Sequence, residues 1–167
     1  MTFNIIYSAF NLANAAPPSK VMVLDFQLND LTDLPNAPQE LERISYLTKV
    51  YKEVLVKQGV NMVPVADKLK VDIQNQSPTY LFDQIEYVAD VAAEGGADYV
   101  LIGVALKPTY LFVYPRVLLV DVKLKKVVLA KAFQLESSWS DQNTTANTAR
   151  KIAEAVANAI KDIEEKQ

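Results

Sequence analysis

Apolar side chains return every third or fourth position from residue 39 to 58. Leu41, Ile44, Leu47, Tyr51, Val54 and Leu55 form one stripe, with Glu40, Glu42, Arg43, Lys49, Lys52 and Lys57 around it. That period predicts an amphipathic helix. Pro38 suits its first turn, acids come early and lysines late, and Gly59 follows as a stop. A second helix is expected over about 79–94, with Leu81, Ile85, Val88 and Ala92 inward and Gly95-Gly96 closing it. A third is expected over about 142–164, inward at Ala149, Ile152, Ala153, Val156, Ile160 and Ile163, with Ser140 and Asp141 offering capping oxygens.

Between these lie short β-rich runs. Val21–Phe26 and Val60–Val65 read as buried strands, whereas 27–38 (QLNDLTDLPNAP) reads as a loop and 66–78 as irregular polar chain. The most apolar stretch is GADYVLIGVALKPTYLFVYPRVLLVDV, residues 96–122. A membrane helix needs about 20 apolar residues with few breaks. Here Lys107-Pro108 and Pro115-Arg116 interrupt, and Val, Ile, Leu, Tyr and Phe dominate, which favours strands. Tyr99–Lys107 is expected as a central strand covered on both faces, and Tyr110–Val122 as its neighbour, with a bulge or free edge at Pro115. A turn through Asp121–Lys126 leads into Val127–Ser137 as the last strand.

The expected order is β-α-β-α-β-β-β-α. It describes a single α/β domain over residues 20–164, with a tail at 165–167. Its five-stranded mixed sheet has three parallel strands, then an antiparallel meander, flanked by three main helices. Residues 1–19 stand apart. Phe3–Leu12 is largely apolar and Ala13-Asn14-Ala15 fits a signal-peptidase site, but no Lys or Arg precedes Lys20. The segment reads as the remnant of an export signal; an N-terminal arm of the mature protein is the alternative.

Composition removes several chemistries. The 167 residues include no Cys and no His, which excludes disulfides, thiolate nucleophiles, zinc–thiolate sites, histidine metal sites and Ser-His-Asp or Cys-His catalysis. Ser137-Ser138 has no context for Ser–Lys catalysis, and Gly95-Gly96 matches no phosphate loop. No cofactor or metal site is expected. A net charge of −3 argues against nucleic acid, and the short basic run at Lys123, Lys125 and Lys126 reads as a solvated turn.

Three features carry a resemblance. VMVLDFQLND opens with Asp25-Phe26; GGADYVLIGVALKP holds Gly96-Ala97-Asp98 and continues into Lys107-Pro108-Thr109; an Asp121-Val122 turn is followed by Trp139 ahead of the last helix. Over residues 20–160 this resembles an uncharacterised family of small secreted bacterial proteins, related to the TolB amino-terminal domain and the periplasmic domain of the curli secretion channel. The chain departs from it at Tyr110 and Tyr114, where the family often has Asn, and in lacking the cysteine pair of some members. The resemblance implies a periplasmic location and binding or assembly work with an envelope partner, without an established activity; a homo-oligomer stays open.

Two groups are candidate sites. Tyr110, Phe112, Tyr114 and Arg116 alternate along an expected strand, with Trp139 near; Tyr, Trp and Arg are enriched where partners bind. Asp25, Asp30 and Asp33 cluster after the first strand and would suit a hard cation or small ligand, although their spacing matches no cation loop. The expectation is a non-enzymatic accessory protein acting by contact through the meander's exposed face or edge, at Tyr110, Tyr114, Arg116 and Trp139, with addition of a strand to a partner's sheet as one form of that contact. The alternative is a ligand or cation sensor built on the three aspartates. A small hydrolase using Asp with Tyr or Lys comes last.

Overall fold

The computed structural model describes residues 17–135 and 138–166. The expected signal segment therefore lies almost wholly outside the described residues. Eleven elements follow in order: β1 (Lys20–Val23), β2 (Gln27–Asp30), α1 (Pro38–Lys57), β3 (Asn61–Val63), α2 (Asp67–Asn75), α3 (Tyr80–Asp83), α4 (Ile85–Glu94), β4 (Tyr99–Lys107), β5 (Tyr114–Asp121), β6 (Lys126–Ala132) and α5 (Gln142–Glu164). They form a single α/β domain around one mixed sheet of six strands.

The strands run β3-β1-β4-β5-β6, with β2 also beside β4. β1, β2 and β3 lie parallel to their neighbours, while β4, β5 and β6 make the expected antiparallel meander. β4 is central and nearly wholly buried. Its two faces feed two cores. Tyr99, Leu101 and Ala105 pack with α1 and α5 through Leu47, Tyr51, Ile152 and Val156. Val100 and Ile102 pack with the α2–α4 layer through Leu69, Leu81, Val88 and Ala92. The result is helix, sheet, helix.

The sixth strand is where a loop was expected. Gln27, Asn29 and Asp30 are poor strand formers on propensity alone. They nevertheless pair with Val104, Leu106 and Lys107 along the length of β4 that β1 leaves unpaired. From Val23 to Gln27 the chain takes four steps, while β4 takes three from Leu101 to Val104. β1 and β2 are thus one strand with an extra residue at the junction, a bulge. Leu24 donates its amide to the Leu101 carbonyl at 3.0 Å. The Phe26 amide donates to Thr48 Oγ1 of α1 at 3.1 Å, and Asp25 points outward.

Glycines fit the close approaches. A Cβ on Gly103 would stand 2.7 Å from the Phe26 ring, which lies across β4 and meets Tyr51 edge-on at 5.2 Å. Gly96 has φ +72°, and Asp98 then clamps the sheet's entrance. Its carboxylate accepts the Lys20 amide at 2.7 Å, its own amide donates to the Lys20 carbonyl, and its carbonyl accepts the Val122 amide.

Other boundaries shift from expectation. Residues 66–78 contain α2, anchored by buried Leu69. The helix expected over 79–94 breaks at Gln84 into α3 and α4. β5 starts at Tyr114, not Tyr110, and β6 ends at Ala132, not Ser137. Pro115 pairs with Ala105 without a bulge. Its carbonyl accepts the Phe133 amide just past the end of β6, so its nitrogen also faces the place where that ladder stops. The irregularity lies instead between β5 and β6 at Leu119/Val120.

Candidate functional site

β2 and β4 end side by side, Asp30 paired with Lys107. Two loops leave from there, residues 31–37 and 108–113. In open α/β sheets ligands bind beyond the carboxyl ends of parallel strands. Both loops bare apolar side chains: Leu31, Leu34, Tyr110, Leu111 and Phe112 are exposed, Leu111 by 78%. The Leu31 amide donates to the Lys107 carbonyl at 2.9 Å, which ties the first loop to the root of the second.

Beneath this crown lies a buried ionic cluster. Lys107 is only 2% exposed. Its Nζ stands 3.4 Å from Asp30 Oδ2 and 3.8 Å from Glu40 Oε1, and lies 5.1 Å from the centre of the Tyr110 ring. Glu40 also receives Arg43 at 2.6 Å, and its Oε2 accepts the indole N–H of Trp139. Asp30 accepts the Thr32 amide at 3.1 Å, the Thr32 hydroxyl at 2.7 Å and the Asn36 amide at 3.2 Å. Burial pushes the Asp30 carboxyl upward, but those hydrogen bonds and the Lys107 charge outweigh it and leave its pKa below the ordinary 3.8. Two carboxylates face two cations. Buried charges persist when paired and hydrogen-bonded, and each member here is. The cluster holds geometry; it presents no free nucleophile.

The expected contact residues are divided by the sheet. Tyr110 sits over Lys107, on the face covered by α1 and α5. Tyr114 and Arg116 share the opposite face, with the Arg116 guanidinium 5.8 Å from the centre of the Phe82 ring of α3. Phe112 stacks on Tyr114 at 6.3 Å and links the two sides. Trp139 is 3% exposed, so its indole is a support and not a surface group. It walls two cavities, one of about 330 Å³ shared with Tyr110, Phe112 and Leu135, the other of about 240 Å³ shared with Arg43, Tyr46 and Gln142.

The three aspartates do not converge. Asp25 is 65% exposed at its side chain and pairs with Lys52, Asp30 is enclosed by its own partners, and Asp33 is exposed in the loop. Among the described residues no group of three His, Cys, Asp or Glu side chains could hold a metal ion.

Glu40 and Lys107 were missed as site residues. Glu40 reads in the sequence as a dipole-complementing acid, and Lys107 as a break in an apolar run. The signal for Glu40 was available: it lies one turn before Ile44, and the buried row of α1 is Glu40, Ile44, Leu47, Thr48, Tyr51 and Leu55. Leu41, expected inside, is 46% exposed.

Several solved structures share this fold. The hypothetical protein CT253 from Chlamydia trachomatis superposes with a TM-score of 0.52 at 13% identity, over 85% of this chain and 98% of that one. A single-substitution variant of the PelC dodecamer from Paraburkholderia phytofirmans gives 0.50 at 16% identity, over 81% and 86%. The LpoB C-terminal domain from Escherichia coli gives 0.50 at 17%, over 71% and 83%. At these identities the likeness is one of fold; the expected tie to the curli secretion channel remains an expectation. No curated protein matches the chain in sequence. A family profile does match, over residues 19–145, which is most of the chain, and the protein therefore belongs to the family described as "Protein of unknown function (DUF2380)".

Proposed function

We propose that the protein is a non-enzymatic accessory of the bacterial envelope that works by contact with another protein. The observation that carries this reading is the crown of Leu31, Leu34, Tyr110, Leu111 and Phe112 on two adjacent loops. Large apolar groups clustered on a surface mark places where proteins meet. Tyr114 and Arg116 flank the crown from the α3 side, and Trp139 supports it from below. The occupant is a protein offering apolar side chains, since the five crown residues carry no charge. The envelope location rests on the sequence resemblance over residues 20–160; the fold shared with PelC, which is described as a dodecamer, fits work by protein contact. Among the described residues no helix is long and apolar enough to cross a membrane.

The open edge at β6 is the weaker docking place. It carries Lys126 and Lys131 and an irregular register, features that discourage strand addition.

Affinity capture from native envelopes tests the reading. Leu111→Asp and Phe112→Ala should each reduce recovery of a specific partner by about tenfold or more, as expected for a central anchor. Recovery equal to the unaltered protein in both variants would sink the contact reading. Trp139→Phe gives a separate check: it should weaken capture indirectly, by freeing the turn at 138–140.

A further inference from the structure

We infer that Lys107 is a positioning residue that couples the two halves of the contact surface. It rests on the contact reading for its purpose, but its geometry is independent of any partner. Three segments converge on one buried amine. Asp30 fixes loop 31–37 by accepting the Thr32 and Asn36 amides. Glu40 fixes the turn before α5 by accepting the Trp139 indole. Loop 108–113 begins at Lys107 itself, with Tyr110 over the amine. Among the described contacts, Asp30 has none to Trp139 and Glu40 has none to Thr32 or Asn36. The amine lies between them, 3.4 Å from one carboxylate and 3.8 Å from the other.

Two carboxylates thus share one ammonium group in a poorly hydrated place, where charges act strongly on one another. A change at either carboxylate alters how far the amine leans toward the other. Loop 31–37 and the Trp139 turn therefore respond together, and a partner that presses on one changes the order of the other. Coupling between two sites is reciprocal, so each must sense the other equally.

Cross-readouts test this. Trp139 is the single tryptophan of the chain, so its emission reports the turn without labels. Amide exchange at Thr32 and Asn36 reports the loop. Asp30→Asn, made in the loop's anchor, should red-shift Trp139 emission and raise its quenching by acrylamide. Glu40→Gln, made in the turn's anchor, lets the amine lean wholly on Asp30, draws that carboxylate away from the loop amides, and should speed exchange at Thr32 and Asn36. Exchange at Val100 and Ile102 in β4 should stay as in the unaltered protein, which shows the fold intact. Lys107→Met should produce both effects at once. Should it fail to fold, leaving the buried Asp30 carboxylate without a cation, the two other variants still decide. Silence at Trp139 in Asp30→Asn, or at the loop amides in Glu40→Gln, overturns the coupling. None of these readouts needs a partner. A failed capture experiment would thus remove the contact reading and leave the coupling standing.

Discussion

Gly103 shows how a single missing carbon fixes a packing arrangement. The Phe26 ring fills the space a Cβ would take and in turn meets Tyr51 on α1. Gly103→Ala should therefore lower stability by about 1–3 kcal/mol, the usual cost of overfilling a packed core. Urea unfolding measures it, and pairing the change with Phe26→Leu should recover part of the loss. An unchanged midpoint would mean the ring moves freely. The sequence announces this glycine only as a poor strand residue inside an apolar run. Its reason lies across the sheet, on a strand 77 positions earlier in the chain (Phe26 to Gly103), which periodicity cannot see.

Helix α1 shows what periodicity can and cannot settle. The stripe through Ile44, Leu47, Tyr51 and Leu55 was legible, because the spacing alone defines a face. Its first turn was not. An apolar-only rule chooses Leu41 and passes over Glu40, since it assumes that charge means solvent. The protein does the reverse, burying Glu40 against Arg43, Lys107 and Trp139. Leu41→Gln should then shift stability by no more than about 0.5 kcal/mol, as for ordinary surface changes, whereas Leu47→Ala should cost about 2–5 kcal/mol. Chemical denaturation of both variants checks the contrast; a large loss at Leu41 would return it to the core. α2 was missed for another cause: its nine residues bury one leucine fully, too little for a repeating pattern. The capping of α5 was legible. Asp141 accepts the Thr144 amide at 2.9 Å, as the residue type before an apolar period suggests.

For the molecule as a whole, the layer order and the parallel-then-antiparallel sheet could be read from the alternation of elements. The charged cluster that ties three segments together could not, because its members are distant in sequence. Asp30, Glu40, Lys107 and Trp139 each look ordinary alone. Their joint effect should be visible in the acid response. The Asp30 carboxyl titrates below its ordinary value in the folded protein. Its contribution is thus fully present above the unfolded pKa, about 4, and is lost as pH falls through the lower folded value. The stability difference between the unaltered protein and Asp30→Asn should hold steady from about pH 7 to 5 and close below about pH 4. Denaturant midpoints across that range measure it. A difference that stays constant down to acid unfolding would show that Asp30 is not the group responsible.

The junction of β1 and β2 sets how this chain tolerates changes in length. Removing one residue from a buried strand ordinarily turns every later side chain to the wrong face. Here Val23 and Phe26 serve the same core, with Leu24 facing the other and Asp25 turned out to solvent. Deleting Asp25 leaves Val23, Leu24, Phe26 and Gln27 opposite Leu101, Ile102, Gly103 and Val104, with each side chain on the face it already occupies. The loss is the exposed pair with Lys52, worth about 0–1 kcal/mol, together with local strain as the strand straightens. Deleting Leu24 instead removes a core side chain outright. A protein lacking Asp25 should fold and unfold cooperatively, whereas one lacking Leu24 should not accumulate as a folded species. The reading frame of this strand thus carries one spare letter, and homologous chains one residue shorter at this point are expected to keep the same interior.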